Sequence, residues 1–258
     1  MLIEAIESVF TQCPRPWRRL GYAYAAVACV ARARRCAVAW TPHLERSRTE
    51  VMAAVADCAS RRTALVLGAG PALDIPLAAL AGGFQRVILV DIAHTLPARI
   101  AARRHANVVL ATVDLTGLAD ALADRRTPSL PATGSDAFLD DPEIDLVVSA
   151  NVLSQLPLIP VAAALKRWPD TDGEAMGRDI VAAHLTHLRG FHCPTLLLTD
   201  VVRAVFDAEN RPLSQDDALF GVPLPDGPEW EWDVAPPGEV RGGRSVMTRV
   251  RAVRLDRP

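Results

Sequence analysis

The segment from Thr63 to Ile92 constrains the fold of this chain more than any other. It opens with the short apolar run Ala64 to Leu67, which suits a buried strand, and Gly68-Ala69-Gly70 follows at once. The next stretch is rich in Ala and Leu and has helical length, and Pro71 suits a first helical position. Gly82-Gly83 is predicted to end this helix in left-handed geometry. The segment therefore predicts a strand, a glycine turn and a helix.

A second strand completes this unit and ends at an acidic residue. It is predicted over Arg86 to Val90 and is followed by Asp91. In such a βαβ unit a ligand can approach the glycine backbone, and the N-terminus of the helix offers unpaired N–H groups. Asp91 lies roughly 20 positions after the glycine turn, which is the spacing of a carboxylate that binds ribose hydroxyls. We therefore expect a ligand that contains a nucleoside.

The glycine spacing distinguishes two classes of nucleoside ligand. A dinucleotide site has the pattern G-x-G-x-x-G, in which the third glycine permits close packing of the helix. Leu73 occupies that third position here. An NAD-dependent oxidoreductase is therefore the less favoured interpretation, although it uses the same βαβ unit.

The stretch VLGAGPALDIPL and the later VILVDI resemble motif I and the acidic second strand of the class I S-adenosylmethionine (SAM) dependent methyltransferases. In that family the glycine loop passes under the methionine and ribose parts of SAM, and the acid holds the ribose. The resemblance covers about Thr63 to Thr199 and departs from the common G-x-G-x-G pattern at Ala72. It implies SAM as cofactor and a Rossmann-like α/β fold, with a doubly wound, mostly parallel seven-stranded sheet that ends in an antiparallel strand pair.

The same resemblance implies a set of cofactor-binding residues. They are Gly68, Ala69, Gly70, Pro71, Asp91, Ile92, Asp114, Leu115 and Asn151. Asp114 follows a third predicted strand, where the family often contacts the adenine amine. Its alternative role is to cap a helix over residues 115–123. Asn151 follows a fourth strand and can bond either the amino-acid part of the cofactor or the backbone of its own turn.

No catalytic base is identified by a motif. His184 and His187 share one face of a predicted helix, and Asp200 follows a fifth strand at the carboxyl edge, so these three residues are the candidates. Neither an H-E-x-x-H motif nor a pair of nearby cysteines is present, so no metal is expected. A base is needed only if the methyl acceptor must lose a proton.

Residues 1–60 are Ala-rich and are predicted to form an N-terminal helical cap on an α/β domain of residues 61–258. Many methyltransferases of this class carry such helices over the substrate opening. Thr41 and Pro42 have the pattern of a helix N-cap followed by a first-turn proline, so a helix is predicted from there to Ala59.

Three residues near the start of that helix are candidate substrate contacts, namely Trp40, His43 and Arg46. The alternative is a solvated helix face that is anchored by one tryptophan. The sequence alone does not separate these two interpretations.

Composition limits the possible partners. The net charge of −2 gives no global field that would attract nucleic acid or an acidic membrane. Five cysteines without a C-x-x-C pair predict a reduced, cytoplasmic protein, and the apolar run Leu20 to Ala31 is too short to span a bilayer. We expect no nucleic-acid or membrane partner. The N-terminal helices can cover the active site or form a homodimer contact.

The preferred hypothesis is a SAM-dependent methyltransferase that acts on an unidentified small-molecule acceptor. The stretch IDLVVSANVLSQLP lacks the Asp/Asn-Pro-Pro-aromatic signature of enzymes that methylate amino groups on nucleic acid or glutamine, which disfavours that subclass. A catalytically inactive SAM-binding interaction module is the alternative, because of Ala72 and because no acceptor motif is recognisable.

Overall fold

The structure is a computed structural model that describes residues 7–255. Apart from a few helical residues at 7–10, the helices are α1 (Arg15–Leu20), α2 (Tyr22–Arg35), α3 (Ala37–Ala56), α4 (Leu77–Gly83), α5 (Leu96–Arg103), α6 (Ala119–Ala123), α7 (Leu158–Arg167) and α8 (Gly173–Arg189). The strands are β1 (Thr63–Leu67), β2 (Arg86–Asp91), β3 (Val108–Thr112), β4 (Ile144–Ala150), β5 (Thr195–Phe206), β6 (Pro212–Asp217), β7 (Glu229–Ala235) and β8 (Ser245–Leu255).

The strands form one sheet in the order β3-β2-β1-β4-β5-β8-β7, and β6 pairs with β5 outside this path. Strands β1 to β5 are parallel, whereas β8 runs antiparallel to both β5 and β7. The predicted doubly wound α/β fold with an antiparallel terminal pair is confirmed. The sheet has eight strands rather than seven, because the long β5 continues past the parallel region and pairs with β6.

The register of the central strands brings their carboxyl ends to one edge. Leu67, the last residue of β1, lies opposite Val90 of β2 on one side and Ser149 of β4 on the other. The order of strands reverses between β1 and β4, which is where open α/β sheets bind ligands. The turns that follow β1, β2 and β4 therefore begin side by side.

The core lies on both faces of the sheet. Leu65 and Leu67 of β1 point to the face that α8 covers, and Ala64 and Val66 point to the face covered by α3 and α4. All five residues of β1 are buried, as expected of a central strand in a sheet with two covered faces. This packing gives the adjoining glycine turn a rigid base.

The predicted start and end of the helix after the glycine turn are wrong. The helix α4 begins at Leu77, because Ala72 donates a backbone hydrogen bond to Ala69 and forms a turn that Pro71 does not convert into a helix. The helix then ends at Gly83 and is followed by Phe84 in an extended conformation, so no left-handed glycine ends it.

The predicted helix start at Thr41 is also wrong. Helix α3 already begins at Ala37 and contains Pro42, and the Thr41 hydroxyl donates to the Ala37 carbonyl at 2.9 Å instead of capping a helix. Pro42 has no N–H, so the carbonyl of Val38, four residues earlier, has no hydrogen-bond partner within the helix. Val38 is 90% exposed, so water can solvate that carbonyl.

The N-terminal helices pack against the α/β sheet, and α3 contacts β7. The division of the chain at residue 60 stays a prediction. Among the helices of residues 7–255, none combines the length and apolarity that crossing a membrane requires.

Candidate functional site

A cavity opens at the carboxyl edge of the sheet, where the strand order reverses. With its mouth it encloses about 1190 Å³, and its wall is built by the turns after β1 to β4, by helices α2 and α3, and by β7. Open α/β sheets bind their ligands at this edge, so the cavity is the candidate ligand site.

The glycine turn forms the floor of this cavity. Gly68 and Gly70 have φ angles of 72° and 48°, in the left-handed region that favours glycine. A Cβ atom at Gly68 would lie 2.2 Å from the Cβ of Val152, which follows β4. The backbone of the turn after β1 therefore packs directly against the Val152 side chain in the turn after β4.

Asp91 ties the end of β2 to the glycine turn. One carboxylate oxygen accepts from the Gly70 N–H at 2.7 Å, and the other accepts from the Ala93 N–H at 3.1 Å. The surrounding protein raises the pKa of the Asp91 carboxyl through desolvation, and the two N–H groups oppose this rise. A carboxylate has about four lone-pair sites. Asp91 can thus hold the loop and still accept hydrogen bonds from a ligand.

Ala72, where the chain departs from G-x-G-x-G, has a φ angle of 58°. It adopts the left-handed conformation for which a glycine would be suited. The loop therefore has a left-handed residue at the third position of the G-x-G-x-G pattern, although that residue is Ala72 and not glycine.

We expect Ala72→Gly to raise the free energy of unfolding by about 0.5–1 kcal/mol. Relief of left-handed strain gains roughly 1–2 kcal/mol, and the greater freedom of glycine in the unfolded chain offsets part of it. Urea unfolding measures the difference. A clear loss of stability in the variant would contradict the strained conformation of Ala72.

Asp114 organises the turn after β3. Its carboxylate accepts from the backbone N–H and hydroxyl of Thr116, at 2.9 and 2.7 Å, and from the Ala119 N–H at 2.7 Å. The predicted helix start at residue 115 is wrong, because α6 begins at Ala119, but the Asp114 carboxylate does accept from the first N–H of this helix. Asp114 and the neighbouring Leu115 both line the cavity.

Asp74 is a polar wall residue that the sequence analysis missed. The side-chain N–H of Asn151 donates to its carboxylate at 2.7 Å, and desolvation raises the pKa of Asp74. Asn151 has a left-handed φ of 50°, and its own side-chain oxygen is buried without a hydrogen-bond partner among the described residues. The pair therefore presents a carboxylate and a free amide oxygen at the β1 and β4 side of the cavity.

The sequence contained a signal for Asp74. A proline disfavours helical geometry at the residue before it, and Pro76 follows Ile75 directly. Pro76 thus excluded a regular helix through Asp74 and made a loop carboxylate next to the glycine turn the better prediction.

The cavity is acidic. Asp74, Asp91 and Asp114 all line it, whereas no Arg or Lys is found among its described lining residues. Arg48 is the nearby cation that acts on the Asp74 charge, and its guanidinium donates to the Leu73 carbonyl. Such a wall attracts a cationic ligand and disfavours a phosphate.

The N-terminal helices close the cavity from the side opposite the glycine turn. Helix α2 contributes Tyr22 and Cys29 to the wall. The Tyr22 hydroxyl is buried with no partner among residues 7–255, and burial together with the Asp114 charge raises its pKa. Burial raises the pKa of the Cys29 thiol to about 11, so the thiol is neutral and unreactive at neutral pH.

The three candidate substrate residues of α3 separate into two groups. Trp40 and His43 line the cavity. Arg46 does not, since it pairs with Glu50 at 3.2 Å and lies over the Trp230 ring at 5.9 Å.

The three candidate catalytic residues do not line the cavity. The Nε2 atom of His184 is 3.0 Å from the Ser149 hydroxyl, and burial lowers the pKa of His184 to about 3. The His187 Nε2 lies 2.9 Å from the Ala137 carbonyl. Ser154 donates to the Asp200 carboxylate at 3.3 Å. Within residues 7–255 no group of three His, Cys, Asp or Glu side chains is arranged to hold a metal ion.

Burial raises the pKa of Asp200 from 3.8 to about 6. Above this value the folded protein must hold a buried charge that water solvates in the unfolded chain, so stability falls as pH rises from about 4 through 6. We expect Asp200→Asn to raise the free energy of unfolding by roughly 1–3 kcal/mol at pH 8 and to change it little at pH 4. Urea unfolding at both pH values measures this, and an equal effect at both would contradict it.

No protein-family model matches this chain, and no curated protein matches it. Its structure is similar to three solved structures that contain S-adenosylhomocysteine (SAH) or SAM. A DhpI–SAH complex is 15% identical, with 87% of this chain and 93% of that chain covered and a TM-score of 0.34. A DhpI–SAM–HEP complex is 14% identical, with 92% and 99% covered and a TM-score of 0.36.

The third structure is the Burkholderia thailandensis 1,6-didemethyltoxoflavin-N1-methyltransferase with bound 1,6-didemethyltoxoflavin and SAH. It is 13% identical, with 90% of this chain and 89% of that chain covered and a TM-score of 0.41. The strand order of this chain is that of a doubly wound, Rossmann-like α/β fold.

Proposed function

We propose that the cavity binds SAM and that the protein transfers its methyl group to a small-molecule acceptor. The observation that carries this proposal is the acidic wall at the glycine turn. SAM bears a sulfonium and an ammonium group, and both cations are favoured by the carboxylates of Asp74, Asp91 and Asp114.

The contacts within the wall support a specific orientation. We expect the two ribose hydroxyls to donate to the Asp91 carboxylate, which the Gly70 N–H holds in place. Asp114 and Leu115 lie in the turn after the neighbouring β3, on the adenine side. The Asp74 carboxylate and the Asn151 side-chain oxygen lie beside the β1 turn and suit the ammonium group.

When bound, SAM supplies an electrophilic methyl group. The task of the protein is to align the acceptor with that group and to exclude water, and positioning of this kind can account for most of the acceleration. Helices α2 and α3 cover the cavity and provide the exclusion. No residue of the wall is required to remove a proton when the acceptor atom carries a free lone pair.

Two observations favour this proposal over the alternatives. A dinucleotide brings a diphosphate, which the three carboxylates disfavour, and the Gly70 N–H that would face it already donates to Asp91. An inactive module was suggested by Ala72, yet Ala72 takes the conformation that the loop requires.

Calorimetric titration with SAM, SAH and NADH tests the proposal. We expect both adenosyl ligands to bind with one site per chain and NADH not to bind. Binding of NADH in preference to SAM and SAH, or binding of none of the three, would contradict it.

A further inference from the structure

The second part of the cavity wall is aromatic. We call Trp40, His43 and Trp232 the aromatic wall; the first two lie on α3 and Trp232 lies on β7, whereas Trp230 of the same strand is not among the lining residues. The His43 ring stacks on Trp232 with centroids 3.9 Å apart and planes 6° from parallel, and Trp40 meets Trp232 edge-on at 4.9 Å. Trp40 is fixed by its indole N–H, which donates to the Val234 carbonyl at 3.0 Å. The wall is thus rigid before any ligand binds.

The protonation of His43 follows from its partner. The indole N–H of Trp230 lies 3.1 Å from His43 Nδ1, and an indole nitrogen can only donate. His43 Nδ1 must therefore accept, and the imidazole carries its hydrogen on Nε2. Burial, which leaves His43 1% exposed, lowers its pKa to about 3. His43 is consequently a neutral hydrogen-bond donor and not a general base.

Trp232 provides a second donor. Its side chain is 8% exposed and lines the cavity, and its indole N–H is buried with no hydrogen-bond partner among the described residues. An unpaired buried donor costs roughly 1–3 kcal/mol, so its retention is explained if a ligand atom accepts from it.

The charges of the cavity restrict the ligand further. Three wall carboxylates outnumber the single net positive charge of bound SAM, so an anionic acceptor would be repelled. An ammonium group has no lone pair and would leave both wall donors unpaired. A molecule without a negative charge that offers a lone pair to these donors satisfies both conditions.

We infer that the methyl acceptor is a flat heteroaromatic molecule without a negative charge that presents a carbonyl oxygen or ring nitrogen to His43 and Trp232. This inference rests on the proposed SAM site. A flat ring system matches the rigid aromatic wall, and aromatic contacts of this kind add about 0.5–1.5 kcal/mol beyond burial.

The wall also restricts the chemistry. A lone pair of the acceptor forms a bond to the methyl carbon while the carbon–sulfur bond breaks and its electron pair returns to sulfur. If the reacting nitrogen or oxygen carried a hydrogen, His43 cannot take that proton, because its Nδ1 accepts from Trp230 and its Nε2 carries a hydrogen; the proton is lost to solvent when the methylated product leaves the cavity.

Three bicyclic probes of similar size test the inference on protein saturated with SAH. They are the uncharged 4-quinolone, the anion 1-naphthoate and the cation 1-naphthylmethylammonium. We expect 4-quinolone to bind about tenfold more tightly than 1-naphthoate in calorimetric titration, because the wall carboxylates repel the anion and the wall donors pair with the quinolone oxygen. The cation, which the carboxylates attract, should bind without using the donors, so its affinity should not change in Trp232→Phe. Equal or tighter binding of 1-naphthoate, or no binding of 4-quinolone, would overturn the inference while SAH binding leaves the proposed function standing.

A variant tests the donor itself. Trp232→Phe keeps an aromatic ring and removes an N–H that has no partner among residues 7–255, so it should weaken 4-quinolone binding about fivefold and weaken naphthalene binding less, while SAH still binds. Trp17→Phe is the matched control, since the Trp17 N–H donates to Asp120 outside the cavity at 2.6 Å. Equal affinity of 4-quinolone for Trp232→Phe and the wild type would overturn the role of this donor.

Discussion

Replacing Asp91 with alanine is expected to lower the affinity for SAM and SAH by about 100-fold. Hydrogen bonds to a charged group contribute about 1.5–3 kcal/mol, and the loss of roughly 2.7 kcal/mol corresponds to this factor. The ribose would lose its acceptor, and the Gly70 N–H would lose the carboxylate that holds the glycine turn. Calorimetric titration of both ligands measures the change.

Asp217→Ala provides the matched control. Asp217 also accepts from two backbone N–H groups, those of Leu219 at 2.9 Å and Gly221 at 2.6 Å, but it does not line the cavity. Its replacement should leave SAH affinity unchanged. If Asp91→Ala retained the wild-type affinity, or if both variants lost affinity equally, Asp91 would have no specific role in the site.

Replacing Gly68 with alanine is expected to lower the free energy of unfolding by about 3 kcal/mol and to impair SAH binding. A left-handed alanine costs roughly 1–2 kcal/mol, and overpacking adds typically 1–3 kcal/mol. The new Cβ would lie 2.2 Å from the Val152 Cβ, so the turns after β1 and β4 must separate. Urea unfolding and calorimetry measure the two effects.

Gly82→Ala is the control for this substitution. A Cβ at Gly82 meets no heavy atom within 4 Å, and Gly82 lies within α4, so alanine should stabilise the protein by roughly 0.5–1 kcal/mol. Adding Val152→Ala to Gly68→Ala should not restore stability, because the contacted Cβ atom remains. Wild-type stability of Gly68→Ala would contradict the described packing of the two turns.

The sheet could be predicted from the sequence because its strands are nearly continuous apolar runs. The second strand was predicted over Arg86 to Val90, and β2 extends one residue further, to Asp91. Helix ends were less predictable. Pro71 and Thr41 both fit the local pattern of a helix start. The turn at Ala72 instead delays the helix after Pro71, and α3 already includes Thr41 because it begins at Ala37.

The cavity could be predicted only where its residues are close in sequence to the glycine turn. Gly68 and Asp91 belong to one βαβ unit, so their spacing indicated their proximity. The contact between α3 and β7 has no such signal, since Trp40 and its hydrogen-bond partner Val234 are 194 positions apart. The donors on Trp232 and the neutral state of His43 follow only from this long-range packing.

Burial likewise separates residues that look alike in the sequence. His43 and His184 both lie on predicted helices, but His43 lines the cavity and His184 meets Ser149 within the core. Their surroundings, and not their spacing, determine which of them can contact a ligand.

A crystal structure of the complex with SAH tests the account most directly. The account predicts that the ribose hydroxyls donate to the Asp91 carboxylate and that adenine lies beside Asp114 and Leu115. It also predicts that the ammonium group lies between Asp74 and the side-chain oxygen of Asn151. SAH bound elsewhere on the chain, or bound in this cavity with its ribose away from Asp91, would contradict the account.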